Sequence, residues 1–255
     1  DIVVTLDAQA VNFNDFQGIE NYDFFLAYDL TVYPEILKWY KGNKLISFII
    51  GRHCKNSEGV EYLKYAPMIH YIRDFISETG YLQTGGSVST IALDLARNMN
   101  CNPIIFTGQD LSYNYLKTHN SDAFDTIEFY RRSDKFNTLE TAFFTALVGK
   151  TVFYTPGNYT DSVLTDTTLK HYLNWIGESA RIMPQRVINA TAGGAVIPNT
   201  ELITLDKLAK ILPIIPKSKF DYLLSQKSTN RIDRAKMRAR IAGDLKLLKR
   251  FLDET

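Results

Sequence analysis

The stretch TGGSVST at residues 84–90 combines residue types suited to hold a phosphate. Two glycines stand directly before an apolar, helix-forming run, and hydroxyl residues fill its first turn. Such a turn offers N–H groups without intrahelical acceptors and the positive end of the helix dipole. Gly85 and Gly86 leave room for a ligand and permit positive φ angles, and Ser87, Ser89 and Thr90 add hydroxyl donors. A plain helix start is the alternative, because Ser is a good N-cap and glycine is common in tight turns.

The spacing of these glycines excludes two common nucleotide-binding motifs. The stretch matches neither GxxxxGK[ST] nor GxGxxG, so it predicts neither a P-loop nor a Rossmann fingerprint.

Two further runs place polar residues directly after a predicted strand. In FTGQD, Asp110 could hold a sugar hydroxyl, cap a helix or bind a metal. In INATAGG, Asn189 and Thr191 precede two glycines, and an ordinary turn is the alternative there.

The elements around these runs alternate between strands and helices. Short apolar runs predict strands, and apolar residues at helical spacing predict helices, of which the one at 61–80 carries a kink at Pro67. The predicted strands are 1–7, 23–29, 44–50, 102–108, 151–155 and 186–191, and the predicted helices are 33–42, 61–80, 87–100, 139–149 and 168–180. This alternation predicts an α/β fold with a mainly parallel sheet and helices on both faces.

The carboxyl ends of the predicted strands gather the polar residues on one edge of the sheet. Ligands of open α/β sheets bind at that edge. We therefore expect Asp7, Asp29, Gly51 and residues 107–110 to share one rim, together with Ser87 and Asn189.

Two segments depart from this alternation. Residues 111–136 are polar and aromatic without clear periodicity, which indicates a lid, a binding loop or a disordered segment. Within them His119, close to Asp122, is a candidate base if the loop closes. We divide the chain into an α/β domain of catalytic type at 1–212 and a helical, basic extension at 213–255, which either packs on the body or binds an acidic partner.

Composition sets further limits. The chain has 255 residues and a net charge of +1, which gives no case for nucleic acid. No apolar stretch approaches the roughly 18 residues of a membrane span. Its two cysteines exclude a disulfide framework and favour a reducing, cytoplasmic setting, and no Cys or His spacing suggests zinc.

Three motifs together resemble the central domain of motility accessory factor proteins. They are TLDAQ at 5–9, GGSVSTIALDLARNMNCNPIIFTGQDLSY at 85–113 and NATAGGAVIPNTE at 189–201. In order and spacing, the resemblance covers nearly all of residues 1–210. That family is implicated in glycosylating flagellin with sialic-acid-like sugars, pseudaminic or legionaminic acid. The resemblance implies a glycosyltransferase that uses a CMP-sugar donor and Ser or Thr hydroxyls of flagellin, with no obligatory metal or other cofactor. It also implies a fold similar to bacterial sialyltransferases.

The resemblance assigns roles to individual residues. Those matched to the donor site are Gly85, Gly86, Ser87, Val88, Thr107, Gly108, Asp110, Asn189 and Thr191. Those assigned to the substrate are Asp7, Gln9, Gln109 and Tyr113. No catalytic residue follows from the match, and His119 and Asp110 are the candidates.

Two other functions stay open. A related branch resembles archaeal 6-hydroxymethylpterin diphosphokinase, which uses ATP and magnesium, with Asp7 and Asp110 as the carboxylates that would hold the metal. That branch has an acidic DLDG-like run where this chain has TLDAQ, which favours the glycosyltransferase. A non-catalytic module that binds carbohydrate or flagellin is the third possibility. The sequence starts inside a strand and lacks the family's upstream GxGPS segment. We therefore expect that this sequence is part of a longer polypeptide, with at least one strand and one helix before Asp1.

Overall fold

The structure is a computed structural model that describes residues 1–42, 44–64, 67–73, 75, 80–114, 116–121, 123–212 and 233–253. Its strands are β1 Ile2–Thr5, β2 Phe25–Asp29, β3 Leu45–Lys55, β4 Glu61–Lys64, β5 Tyr81–Gln83, β6 Ile104–Phe106, β7 Val152–Thr155, β8 Val163–Asp166, β9 Val187–Asn189 and β10 Glu201–Leu202. Its helices are α1 Pro34–Trp39, α2 Pro67–Arg73, α3 Val88–Asn98, α4 Phe124–Arg132, α5 Leu139–Leu147, α6 Thr167–Ile182, α7 Leu205–Ile211 and α8 Arg234–Asp253, with a 3-10 helix at Ala10–Phe16.

The strands form two mainly parallel sheets and a hairpin. The first sheet has the order β1-β2-β3, and β3 then pairs with both β5 and β4. The second has the order β10-β9-β6, and β7 and β8 form an antiparallel pair. Among the described strands five of the seven pairings are parallel, which confirms the predicted α/β class.

Both sheets are covered on both faces, because successive strand residues point to opposite sides. In β2, Leu26 packs with Phe16 and Ile36 of the 3-10 helix and α1, whereas Ala27 packs with Ile91 of α3 on the other face. In β9, Val187 joins the cluster around α6, and Ile188 packs against Leu208 of α7. This confirms the predicted helices on both faces.

Helix α3 connects the two sheets. It contacts β1, β5, β6 and α6. Its Ile91 packs against the first sheet and its Leu93 joins the α6 cluster, so more than one stripe of the helix is buried. Val88 is 37% exposed because it is the first residue of the helix.

Three sequence predictions need correction. Within the predicted helix at 61–80, residues 61–64 form a strand, β4, and Pro67–Arg73 form the short α2, which begins at proline because proline suits the first turn of a helix. Residues 65, 66, 74 and 76–79 of that prediction lie outside the described residues. Because β3 continues to Lys55 and pairs with β4, Gly51 lies inside a strand and not at its end. Residues 111–136, predicted as an irregular loop, contain α4, although residues 111–114 and 116–121 have little regular structure.

The basic extension is helical where the structure describes it. No residue of α8 is buried, and the helix touches the body through a hydrogen bond from Tyr71 Oη to Asp244 Oδ2 (2.6 Å) and through Arg240 over the Tyr71 ring. Residues 213–232 of the predicted extension lie outside the described residues. In the described part of the chain no helix combines the length and the apolar character needed to cross a bilayer.

Candidate functional site

The glycine loop before α3 is held from within by one buried side chain. Thr90 is fully buried, and its Oγ1 accepts hydrogen bonds from the N–H groups of Gly85 (3.0 Å) and Ser87 (3.4 Å) while donating to Ser87 O (2.6 Å). Gly86 N–H donates to Thr84 Oγ1 at 2.9 Å. The backbone donors of Gly85, Gly86 and Ser87 are therefore already used inside the protein. The same holds for the Thr90 hydroxyl, which the sequence predicted as a donor to the ligand.

The two glycines face helix α6. A Cβ on Gly85 would lie 2.5 Å from Cγ of Trp175, and one on Gly86 would lie 3.1 Å from the Tyr172 ring. Gly86 also has φ +101°, a backbone conformation that residues with a side chain rarely adopt. Positive φ at Gly86 agrees with the sequence prediction, but the space that the missing side chains leave is occupied by aromatic rings.

The first turn of α3 retains other donors for an anion. Thr90 N–H and Ile91 N–H donate to Ser87 O, so Val88 and Ser89 carry the first-turn N–H groups for which the helix offers no acceptor. Ser87 Oγ and Ser89 Oγ lie 2.7 Å apart, and one of the two hydroxyls donates to the other. The second hydroxyl can donate outward, beside the N–H groups of Val88 and Ser89.

Hydrogen bonds join the second and third motifs at the ends of β6 and β9. Gln109 N–H donates to Thr191 Oγ1 (3.0 Å), and Thr191 N–H donates to Asn189 Oδ1 (3.0 Å). Ala195 N–H donates to Asp110 O at 2.7 Å. The structure thus brings these two motifs together, as predicted, but Asn189 and Thr191 are almost completely buried and act by fixing the loops.

The residues exposed on this rim are few. Thr107 and Gly108 are exposed, and the Gln109 and Asp110 side chains are half-buried. The rim and the glycine loop both lie against helix α6. Tyr113, which follows the rim, bonds to Asp166 at the start of α6, and Gly86 packs near Tyr172 of the same helix. Six residues of helix span about 9 Å, so both loops lie along one part of α6.

Tyr113, assigned to the substrate from the sequence, belongs to a partly buried polar cluster. Its hydroxyl donates to Asp166 Oδ2 at 2.6 Å and accepts from Lys150 Nζ at 3.0 Å. Burial, together with the bond to the Asp166 carboxylate, raises the pKa of Tyr113 far above its usual value. Burial alone would raise the pKa of Asp166, but hydrogen bonds from Tyr113 and from the Leu169 N–H, with the charge of Lys150, lower it. This cluster caps the first turn of α6.

The first motif lies near the segment that holds His119. Asp7 and Gln9 are exposed beyond the end of β1. Burial, then the charges of Asp125 and Asp7, raise the pKa of Asp15, whereas His119 lowers it, so these groups interact electrostatically. His119 is exposed, with Nδ1 3.8 Å from Asp125 Oδ2. Asp122, paired with His119 in the sequence prediction, lies outside the described residues.

A cavity of about 600 Å³ opens between the 3-10 helix and α4. It is lined by Asn14, Asp15, Gln17, Asn120, Ala123, Phe124, Ile127, Glu128 and Arg131. No motif in the sequence indicates it, because its walls come from two segments about a hundred residues apart. Within the described residues, no three His, Cys, Asp or Glu side chains are placed to share a metal ion.

Comparison with known proteins gives two matches. The family described as 6-hydroxymethylpterin diphosphokinase MptE-like matches residues 1–115. The solved structure of Maf glycosyltransferase from Magnetospirillum magneticum AMB-1 matches with a TM-score of 0.56 and 14% identity, over 94% of this chain and 30% of the other. The chain therefore spans about a third of the length of that glycosyltransferase. Comparison with curated proteins finds no match. The chain is thus similar in fold to a Maf glycosyltransferase and in its first 115 residues to the MptE-like family, the two groups that its motifs resemble.

Proposed function

We propose that this chain carries out glycosyl transfer from a nucleotide-sugar donor. The observation that carries the proposal is the fold shared with a Maf glycosyltransferase over 94% of the chain. In its finer form the donor is a CMP-linked sialic-acid-like sugar, such as pseudaminic acid, and the acceptor is a Ser or Thr hydroxyl of flagellin. The two cysteines, which are free, fit a cytoplasmic reaction.

The start of α3 would receive the donor phosphate. The N–H groups of Val88 and Ser89, the Ser87 hydroxyl and the helix dipole all favour negative charge there. The acceptor oxygen attacks the anomeric carbon, the bond from that carbon to the phosphate oxygen breaks, and CMP leaves as the anion. The acceptor proton passes to a base, for which Asp110 and His119 are the candidates. The reaction needs no obligatory metal.

Ser87→Ala tests this placement. It removes one hydroxyl and keeps the N–H groups of Val88 and Ser89. Because a hydrogen bond to a charged group is worth about 1.5–3 kcal/mol, CMP affinity should fall by roughly tenfold or slightly more. The control is Ser57→Ala, in an exposed loop, which should leave CMP binding unchanged. Calorimetry measures both, and thermal melts check folding. Equal CMP affinity in Ser87→Ala and the wild type would remove Ser87 from the donor site.

Phosphoryl transfer is the second candidate, because the family match covers residues 1–115. A diphosphokinase would bind ATP only with Mg²⁺, which commonly uses one or two carboxylates and the substrate phosphates. Asp7 and Asp110 are the carboxylates available. Titrations with CMP and with ATP, each with and without magnesium, separate the two candidates. Metal-dependent ATP binding that Asp7→Asn weakens would favour the kinase. Binding of neither nucleotide would favour a non-catalytic carbohydrate- or flagellin-binding module.

A further inference from the structure

Another cavity, of about 560 Å³, opens beside the short strand β10. Its apolar wall consists of Tyr159, Leu202, Ile203 and Ile211. Lys207 and Lys210 of α7 also line it, and because they are three residues apart they lie on one face of that helix. Ligand sites commonly combine such a mainly apolar lining with a few polar groups.

The charged side chains that line this cavity are both cations. Within the described part of the chain, neither lysine ammonium has an ion pair or a hydrogen bond. Of the carboxylates close to them in sequence, Glu201 Oε2 lies 2.5 Å from Arg186 Nη2, and Asp206 does not line the cavity. The cavity therefore attracts an anionic group that is joined to an apolar one, and it repels a second copy of itself.

The edge of β10 beside the cavity is open. β10 is the outermost strand of its sheet and, among the described strands, pairs with β9 alone. Ile203 N–H donates to Asn189 O of β9 at 3.1 Å. Because backbone groups alternate sides along a strand, Leu202 directs its N–H and C=O away from β9. No described residue bonds to either group, and Leu202 is 43% exposed. An extended polypeptide can pair with such groups by adding a strand to the sheet edge.

Hydrogen bonds tie two walls of the cavity to the third motif. Asn189 holds Ile203 through its backbone O, and its Nδ2 donates to Asn158 Oδ1 at 3.3 Å. Asn158, directly before Tyr159, also donates from its N–H to Gly194 O at 2.9 Å. A segment bound in the cavity therefore lies beside the loop that follows β9.

We propose that this cavity and the open edge of β10 bind an extended, acidic segment of a polypeptide. The backbone of the segment pairs with Leu202, an apolar side chain packs against Tyr159 and the aliphatic lining, and carboxylates on the same face of the segment pair with Lys207 and Lys210. This binding is separate from that of the donor phosphate and does not depend on the glycosyl transfer proposed above.

Acetylated, amidated peptides titrated by NMR test the proposal. Gly-Glu-Thr-Leu-Thr-Glu-Gly places its leucine and both glutamates on one face of an extended chain, and Gly-Lys-Thr-Leu-Thr-Lys-Gly reverses the charge. We expect the glutamate peptide to bind about tenfold more tightly than the lysine peptide, and about tenfold more tightly than a version with glycine in place of leucine.

Variants of the two lysines assign the charge effect. Lys207→Gln and Lys210→Gln should each weaken the glutamate peptide about threefold, as for an exposed ion pair, and the double variant about tenfold. Lys246→Gln, at an exposed position of α8, is the matched control and should leave the affinity unchanged.

Two variants of Leu202 test the pairing with the strand edge. Leu202→Ala and Leu202→Pro both remove the side chain, but only proline removes the outward N–H, which β9 does not use. Leu202→Pro should therefore weaken the glutamate peptide about fivefold more than Leu202→Ala, as for one hydrogen bond. Thermal melts check that each variant folds, and the lysine variants decide the question if Leu202→Pro does not.

Four results would overturn the inference. They are equal affinity for the glutamate and lysine peptides, unchanged affinity in the double lysine variant, equal affinity in folded Leu202→Pro and Leu202→Ala, and binding of phosphatidylglycerol vesicles or of a second copy at these residues without peptide binding. Because the peptide titrations contain no nucleotide, their outcome is independent of the CMP titrations that test the proposed function.

Discussion

Gly85→Ala tests whether this glycine is required for packing or for a ligand. The added Cβ would lie 2.5 Å from Cγ, 2.7 Å from Cδ2 and 2.9 Å from Cβ of Trp175. Real Cβ atoms essentially never approach other heavy atoms within 3.0 Å. Since one of the three contacts is to the Cβ of Trp175, rotation of the indole alone cannot relieve the overlap, and the loop or α6 must move.

The size of the effect follows from overpacking. Extra carbon forced into a packed region costs about 1–3 kcal/mol. In a domain of this size each kcal/mol corresponds to roughly 2–4 °C in Tm, so Gly85→Ala should lower Tm by about 4–8 °C for a cost near 2 kcal/mol. Gly80→Ala is the control, because no described atom lies within 4 Å of the added methyl, and its Tm should stay unchanged or rise slightly.

Urea unfolding of a double-mutant cycle with Trp175→Ala provides the decisive assay. Trp175→Ala removes Cγ and Cδ2, which make the two shortest contacts, so the penalty of Gly85→Ala should fall by about half or more in that background. The reasoning is wrong if Gly85→Ala has the same Tm as the wild type and loses nucleotide binding, since the glycine would then be required for a ligand. It is also wrong if the two substitutions are additive.

Three further predictions concern other parts of the chain. Asn189→Ala leaves the buried Thr191 N–H without its acceptor and should lower the free energy of unfolding by about 1–3 kcal/mol, measured by urea denaturation; an unchanged midpoint would contradict this. The raised pKa of Asp15 means that its charged form disfavours folding, so stability falls as pH rises through the folded-state pKa. Asp15→Asn should therefore raise Tm at pH 7 and not at pH 3, and equal shifts at both values would refute an electrostatic origin. Gly243→Ala, at an open position inside α8, should stabilise that helix by about 1 kcal/mol and increase helicity in circular dichroism, and lower helicity would show that Gly243 is needed as glycine.

The fold was predictable where helical spacing of apolar residues was long, or where a strand buried on both faces produced a continuous apolar run. The apolar runs at β1 and β2 and the helical spacing in α3 and α6 indicated their elements within a few residues, and the start of β3 was predicted within one residue although its end was not. Three strands escaped prediction: β4, β8 and β10. The equally short β1, β6 and β7 each contain three consecutive apolar or aromatic residues, whereas EYLK, VLTD and EL contain at most two, so pairing with a neighbouring strand decides their conformation.

The candidate site was predictable only in part. The motifs indicated that Asp110 and Thr191 belong to neighbouring loops, because carboxyl ends of parallel strands share an edge. The motifs could not show that Thr90 would bond the N–H groups of the glycine loop, since a mid-turn Thr can equally face solvent. Nor could they show the cavity at Asp15, which depends on how α4 packs against a distant 3-10 helix.

The hydrogen bonds between the loops after β6 and β9 also restrict motion. Residues 107–110 and 189–196 are joined to each other, and Asn158 joins both Asn189 and the backbone of Gly193 and Gly194. Three chain segments thus form one mechanical unit that opens only when several bonds break together, so their amide protons should exchange slowly with solvent. A ligand that binds at this rim would therefore meet a preformed surface.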